Sequence, residues 1–119
     1  MENWYARPVF FVRNCEESLM FYNSIGFNEK WKHEEEGEII AAQVNLKGTE
    51  IILNKNETKA GNGRIFISLS KGEVNQYLSS LKDIKIDIED KYWGMPTKAI
   101  KDIDSNDILL YDDSLRSDA

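Results

Sequence analysis

The order strand, helix, three strands can be read twice along this chain of 119 residues, and that repetition limits its architecture more than any single motif does. In the first pass, Pro8–Val12 (PVFFV) is short, apolar and rich in β-formers. Asn14 is a candidate helix N-cap with Glu17 three residues later, the spacing of a capping box with Asn in place of Ser or Thr. Leu19, Tyr22 and the neighbouring Met20 and Phe21 give that helix an apolar face, and Gly26 falls where a left-handed residue would end it. From Phe27 to His33 the chain alternates, so Phe27, Glu29, Trp31 and His33 are expected on one face of a strand. Glu34–Gly37 is a turn, and Glu38–Leu46 and Glu50–Asn54 are strands joined by the tight turn Lys47-Gly48-Thr49.

Residues 55–63 (KNETKAGNG) are polar, carry two glycines and show no periodicity, which marks a connector. The order then repeats. Arg64–Ser70 is a strand, and Glu73–Lys82 carries Val74, Tyr77, Leu78 and Leu81 at helical spacing. Ile84–Ile88, Thr97–Lys101 and Asp107–Tyr111 are strands, with a turn at Asp104-Ser105-Asn106 before the last. The expected fold is α+β: a single domain of two βαβββ modules, 1–54 and 64–119, joined by the linker 55–63 and building a cupped, mostly antiparallel sheet. Sheet edges and small size both favour pairing with a second copy, so a homodimer is expected.

Composition narrows the function classes. A hydrophobic fraction of 41% with 30% charged residues suits a folded domain rather than a disordered chain. The net charge of −6 argues against nucleic acid as a partner, because such binders need a basic footprint, and it admits a cationic ligand. No apolar run is long enough to span a bilayer, and the opening Met-Glu-Asn-Trp lacks the basic and apolar segments of a secretory signal. Cys15 is the single cysteine, so no intrachain disulfide can form and a reducing cytoplasm is the expected location.

The stretch Ala6–Phe27 (ARPVFFVRNCEESLMFYNSIGF) resembles the opening of the vicinal oxygen chelate superfamily, which runs strand, Val-x-Asp-like turn, a helix with Ser-x-x-Phe-Tyr, then Leu-Gly-Phe. Val12-Arg13-Asn14, Ser18-Leu19-Met20-Phe21-Tyr22 and Ile25-Gly26-Phe27 stand at those places. Asp102-Ile103-Asp104-Ser105-Asn106 resembles the Asp-Pro-x-Gly-Asn turn before the final strand, and Tyr92-Trp93-Gly94-Met95 resembles the Trp-Gly turn of the bleomycin resistance branch. The likeness covers nearly the whole chain. It implies the doubled βαβββ fold, and it leaves function open among glyoxalases, extradiol dioxygenases, fosfomycin-modifying enzymes and bleomycin-binding proteins.

The enzymes of that superfamily generally hold a divalent metal through His and Glu side chains on strands of both halves, and the chemistry needs ligands that converge with open positions for substrate. The corresponding positions here fall on Arg7, near Ile52, on Arg64 and on Leu109. A guanidinium repels a cation, and Leu and Ile have no donor atom. His33, the single histidine, sits beside a run of glutamates and has no partner in the sequence. Cys15 follows the helix cap, where a thiol pKa can fall, yet a buried structural thiol is the commoner outcome. Asp102, Asp104 and Asp107 are explained by turn chemistry. No metal or other cofactor is therefore expected.

Two function classes stay open. The first is a metal-free protein of the bleomycin-resistance type that sequesters a small molecule in a crevice at a dimer interface. The alternative is a metal-dependent enzyme of glyoxalase or dioxygenase type with unusual ligands. For the first, Trp31, Trp93 and Phe66 are the candidate aromatic walls, the weight on Trp93 coming from the resemblance. Arg7 and Arg64 either point into the cup, where they need carboxylates such as Glu29 or Glu50 or an anionic ligand group, or lie at strand starts with their heads in water.

Overall fold

The computed structural model describes residues 4–70, 72–92 and 96–113. Its first module runs β1 (Val9–Val12), α1 (Cys15–Ser24), β2 (Asn28–Glu35), β3 (Glu38–Leu46) and β4 (Thr49–Lys55); its second runs β5 (Arg64–Leu69), α2 (Glu73–Ser80), β6 (Asp87–Tyr92), β7 (Pro96–Lys101) and β8 (Asp107–Asp112). Each module forms a four-stranded sheet, in the orders β1-β4-β3-β2 and β5-β8-β7-β6. In each, the first strand lies parallel to the fourth, and the other pairings are antiparallel hairpins. The parallel pair follows from the helix, which carries the chain away from the first strand so that it can return in the same direction. The eight strands are thus divided between two mixed sheets, with antiparallel pairing predominating.

One apolar core serves both modules. Phe10, Val12, Val44, Ile51 and Leu53 project from the first sheet onto Tyr22 and Ile25 of the α1 region, and Ile100, Ile108 and Leu110 join the same cluster from the second. Helix α1 begins as its sequence indicates: the Asn14 side chain accepts from the Glu17 N–H at 2.9 Å, and Glu16 and Glu17 lie in the first turn, where the helix dipole favours acids. Gly26 takes φ +102° after the helix end, as its position requires. The buried stripe of α1 is Cys15, Ser18 and Tyr22; of the expected face, Tyr22 is in that stripe and Leu19 and Phe21 pack against the core. Met20 alone of that face is 69% exposed, because it lies on the opposite side of the helix from the stripe spaced three and four residues apart.

Two strands depart from expectation, each for a local reason. In β2, Glu29 opposes Val44 while Trp31 opposes Gln43, with a register shift between them. Lys30 is the extra residue of a β-bulge, which reverses the alternation. Phe27 and Glu29 therefore share the α1 side of the sheet, and Trp31 and His33 occupy the other. In the second module the strand expected at Ile84–Ile88 begins instead at Asp87. Ile84 and Ile86 are packed against the core from the preceding turn, and the strand itself, DIEDKY, is held by β7 partners that include the ion pairs Lys98–Asp90 and Lys101–Glu89. A charged strand carries no hydrophobic period to detect.

A polar latch joins the modules. The Tyr22 hydroxyl, fully buried, donates to Asp102 Oδ2 at 2.9 Å. Asp102 Oδ1 accepts from the N–H groups of Asp104 and Asn106 at 2.9 and 2.8 Å, an Asx turn. Asn106 then donates to Asp102 Oδ2 at 3.0 Å and to the Phe11 carbonyl of β1 at 3.2 Å, and its Oδ1 accepts from Gly63 N–H at 2.7 Å. Arg13 Nε donates to Asp104 Oδ1 at 2.8 Å. The turn before the last strand is thus tied to β1, α1 and the linker together.

Candidate functional site

Helix α1 covers one face of the first sheet and leaves the other without a helix. The bulge at Lys30 turns Trp31 onto that open face, opposite Gln43 in the middle of β3. Gln43 is a polar residue inside an apolar strand and is only 2% exposed. Its Oε1 accepts from Trp31 Nε1 at 2.9 Å and from Arg7 Nη1 at 2.8 Å. Its Nε2 donates to Asn45 Oδ1 at 2.9 Å and to Glu50 Oε1 at 3.0 Å. A primary amide has two acceptor and two donor positions, so this one is saturated.

Arg7 reaches this group through the parallel register of β1 and β4. Val9 lies beside Ile52, and two residues back along both chains are Arg7 and Glu50. Arg7 is exposed, its guanidinium 5.3 Å from the Tyr5 ring, and it meets Glu50 through the Gln43 amide. Trp31 is 36% exposed, a wide indole pinned at its N–H end and partly open to solvent.

Arg64 and Phe66 lie two residues apart on β5 and so share a face. Arg64 Nε is 3.6 Å from Asp107 Oδ2, and Asp107 Oδ1 accepts from Lys101 Nζ at 2.9 Å. Phe66 is 40% exposed, with its ring 5.7 Å from that of Tyr111. It is part of the lining of a cleft of about 650 Å³ between β5 and the β3–β4 hairpin, together with Pro8, Leu46, Glu50, Ile67 and Tyr77. That volume is in the range of drug-sized ligands. The structure therefore brings Trp31 to Arg7 and Phe66 to Arg64, and Glu50 belongs both to the Gln43 group and to the cleft wall. Trp93 lies outside the described residues. Gln43 itself was not singled out from the sequence, although a glutamine inside the apolar run EIIAAQVNL is a signal of an internally bonded amide.

The residues at the metal-ligand places do not fit a divalent ion. Ile52 stands beside Val9, Leu109 is buried beside Phe66, and the neighbour of Arg64 on β8 is Asp107, already engaged with two cationic side chains. His33 is exposed and lies 3.0 Å from Glu35. Among the described residues, no group of three or more His, Cys, Asp or Glu side chains is placed to hold a metal ion.

Cys15 is buried, with Sγ 3.4 Å from the Ile40 carbonyl. Burial first, and the Glu38 carboxylate second, push its thiol from 9.0 up to about 11, and burial pushes Tyr77 from 10.0 up to about 12. Both groups are neutral when protonated, so their contribution to stability is complete below the unfolded pKa and is lost as pH rises through the folded one. The urea midpoint should hold to about pH 9 and fall steadily between about pH 9 and 11. In the same way iodoacetamide should leave native Cys15 unmodified at pH 8 and alkylate it in urea. Rapid labelling of the folded protein would contradict this burial.

Solved structures match this arrangement along almost its full length. A bleomycin-binding protein complexed with bleomycin superposes with a TM-score of 0.75 at 14% identity, covering 93% of this chain and 99% of that one. The chain has the fold of that bleomycin-binding protein. A lactoylglutathione lyase from Agrobacterium tumefaciens shares this fold with a TM-score of 0.71 and 12% identity over 98% of this chain and 99% of that one. An antibiotic-binding protein from a Streptomyces species gives 0.65 and 20% over 94% and 98%. No protein-family model and no curated protein matches the chain. The matches span both modules, and identities this low speak for the fold alone. No helix among the described residues is long and apolar enough to cross a membrane.

Proposed function

We propose that this is a small-molecule binding protein of the bleomycin-resistance type, acting without a metal in a reducing cytoplasm. The observation that carries the reading is Trp31: an exposed indole held by a buried amide on an uncovered sheet face, with a cationic and an anionic side chain bonded to the same amide. Large aromatic surfaces are normally buried, and one fixed at the surface supplies stacking area at little entropic cost. The bleomycin-binding and antibiotic-binding structures of the same fold support this reading, and the donor set at the ligand places supports the metal-free part of it.

The modules 1–54 and 64–119 form one binding unit with the linker 55–63, and a second copy closes the open faces into crevices lined by Trp31, Trp93 and Phe66. The acidic chain adds a long-range pull on a cationic ligand. Titration with a bleomycin-type glycopeptide should change tryptophan emission, and raising the salt concentration should weaken the binding. Trp93→Ala should cost about 1 kcal/mol of affinity, roughly fivefold, the scale of one stacking contact. Purified protein should carry no stoichiometric divalent metal. A metal at one ion per chain, held by side chains of this protein, would instead favour the enzymatic alternative.

A further inference from the structure

Resting on the small-molecule reading above, we propose that Gln43 is the positioning residue of the site and makes it amphoteric, so that it takes a planar molecule bearing both an anionic and a cationic group. The orientation of the Gln43 amide follows from its partners. Trp31 Nε1 and Arg7 Nη1 can only donate, so both must meet the oxygen; Glu50 is a carboxylate and must meet the nitrogen. Turning the amide over would set two donors against an NH₂ and a carboxylate against an oxygen. Asn45 Oδ1 accepts at the same end as Glu50, and its own amide follows the sense that Glu50 sets.

The saturated, buried amide thus sorts charge across the open face. At its oxygen end stand the guanidinium of Arg7 and the N–H edge of the indole; at its nitrogen end stands the carboxylate of Glu50. Arg7 gives one N–H to Gln43 and one face to the Tyr5 ring, and Glu50 gives one oxygen; the remaining N–H groups and oxygen are what a ligand stacked on Trp31 would meet. Guanidinium and carboxylate are held apart by the amide between them, so each can pair with the opposite charge of one bound molecule.

Two measurements test this. The first uses Trp4→Phe/Trp93→Phe protein, in which Trp31 is the single tryptophan. There Gln43→Leu should raise acrylamide quenching of Trp31 about twofold, since the hydrogen bond that pins the indole is gone. The second compares three dyes by fluorescence anisotropy: a rhodamine with a free carboxylate, its methyl ester, and fluorescein. The wild-type protein should bind the zwitterionic rhodamine about fivefold more tightly than either of the others, the scale of one charged contact. Gln43→Glu places a carboxylate against Arg7 and repels Glu50, so it should reverse the order of acid and ester while the protein still melts cooperatively. This variant keeps the test alive if Gln43→Leu does not fold. Equal binding of acid and ester by wild type, or unchanged Trp31 quenching in Gln43→Leu, would overturn the proposal. If neither the dyes nor the glycopeptide bind at all, the small-molecule reading itself falls, and the proposal with it.

Discussion

Asp102→Ala should lower the unfolding free energy by about 4 kcal/mol, with a fall in Tm of about 15 to 20 °C. The carboxylate of Asp102 accepts from four donors: the Tyr22 hydroxyl, the N–H groups of Asp104 and Asn106, and the Asn106 side-chain amide. All of these lie in the interior or at its margin, and a buried donor left unpaired costs about 1 to 3 kcal/mol. The losses do not add in full, because the turn can relax once its Asx bonds are gone. Tyr22→Phe removes only one donor and leaves Asp102 with the others, so about 1 to 2 kcal/mol is expected there. Burial and the neighbouring Asp102 carboxylate both drive the Tyr22 phenol well above its ordinary pKa, so it remains a donor throughout the range of such measurements. Urea denaturation followed by circular dichroism gives both values. An Asp102→Ala effect below about 1 kcal/mol would show that the turn, and not the carboxylate, joins the modules.

Gly61→Ala should be nearly as severe, at about 3 kcal/mol, whereas Gly37→Ala should cost about 1 kcal/mol. Both glycines sit in the left-handed region, at φ +91° and +79°. They differ in surroundings. A Cβ on Gly61 would lie 2.5 Å from the backbone oxygen of Asp104, while one on Gly37 would meet nothing within 4 Å. The Asp104 carbonyl belongs to the latch turn, whose N–H groups are held by Asp102, so it has little freedom to retreat. Gly37 measures the backbone penalty alone, and the difference between the two variants isolates the contact between linker and turn. Equal effects would mean that the linker can shift away at no cost.

The pattern of these contacts explains which features were legible in the sequence. The turns, the caps and the doubled element order depend on residues close together in the chain, and Asn14, Gly26 and the Glu38–Leu46 strand stand where local rules place them. The bulge in β2 was not legible, since the insertion of Lys30 is defined only by its pairing with β3. Charged β6 was misplaced for the same reason: its partners are cross-strand lysines, not a buried face.

The residues that carry the family likeness teach a related lesson. Ser18, Tyr22 and Phe27 are buried in the core, and Tyr22, Asp102 and Asn106 form the latch. Those motifs therefore report how two modules are held together and say little about what lies between them. The candidate site was legible only in pieces. Trp31, Arg7, Phe66 and Arg64 could be named one by one, but Gln43, which bonds two of them, is a glutamine whose role depends on strands far apart in sequence. Asp107 beside Arg64 was likewise readable only as a turn residue until the parallel pairing of β5 and β8 placed it there.

The function proposed for this fold is to bind a ligand through aromatic and charged side chains with no metal. Isothermal titration calorimetry of chelator-treated protein with a bleomycin-type glycopeptide, run for wild type and Trp31→Ala, addresses it directly. The predicted result is saturable binding by wild type that is unchanged when manganese or zinc is added back, and weaker by about 1 kcal/mol in Trp31→Ala. Binding that appears only after metal is restored, or that is indifferent to Trp31, would contradict it.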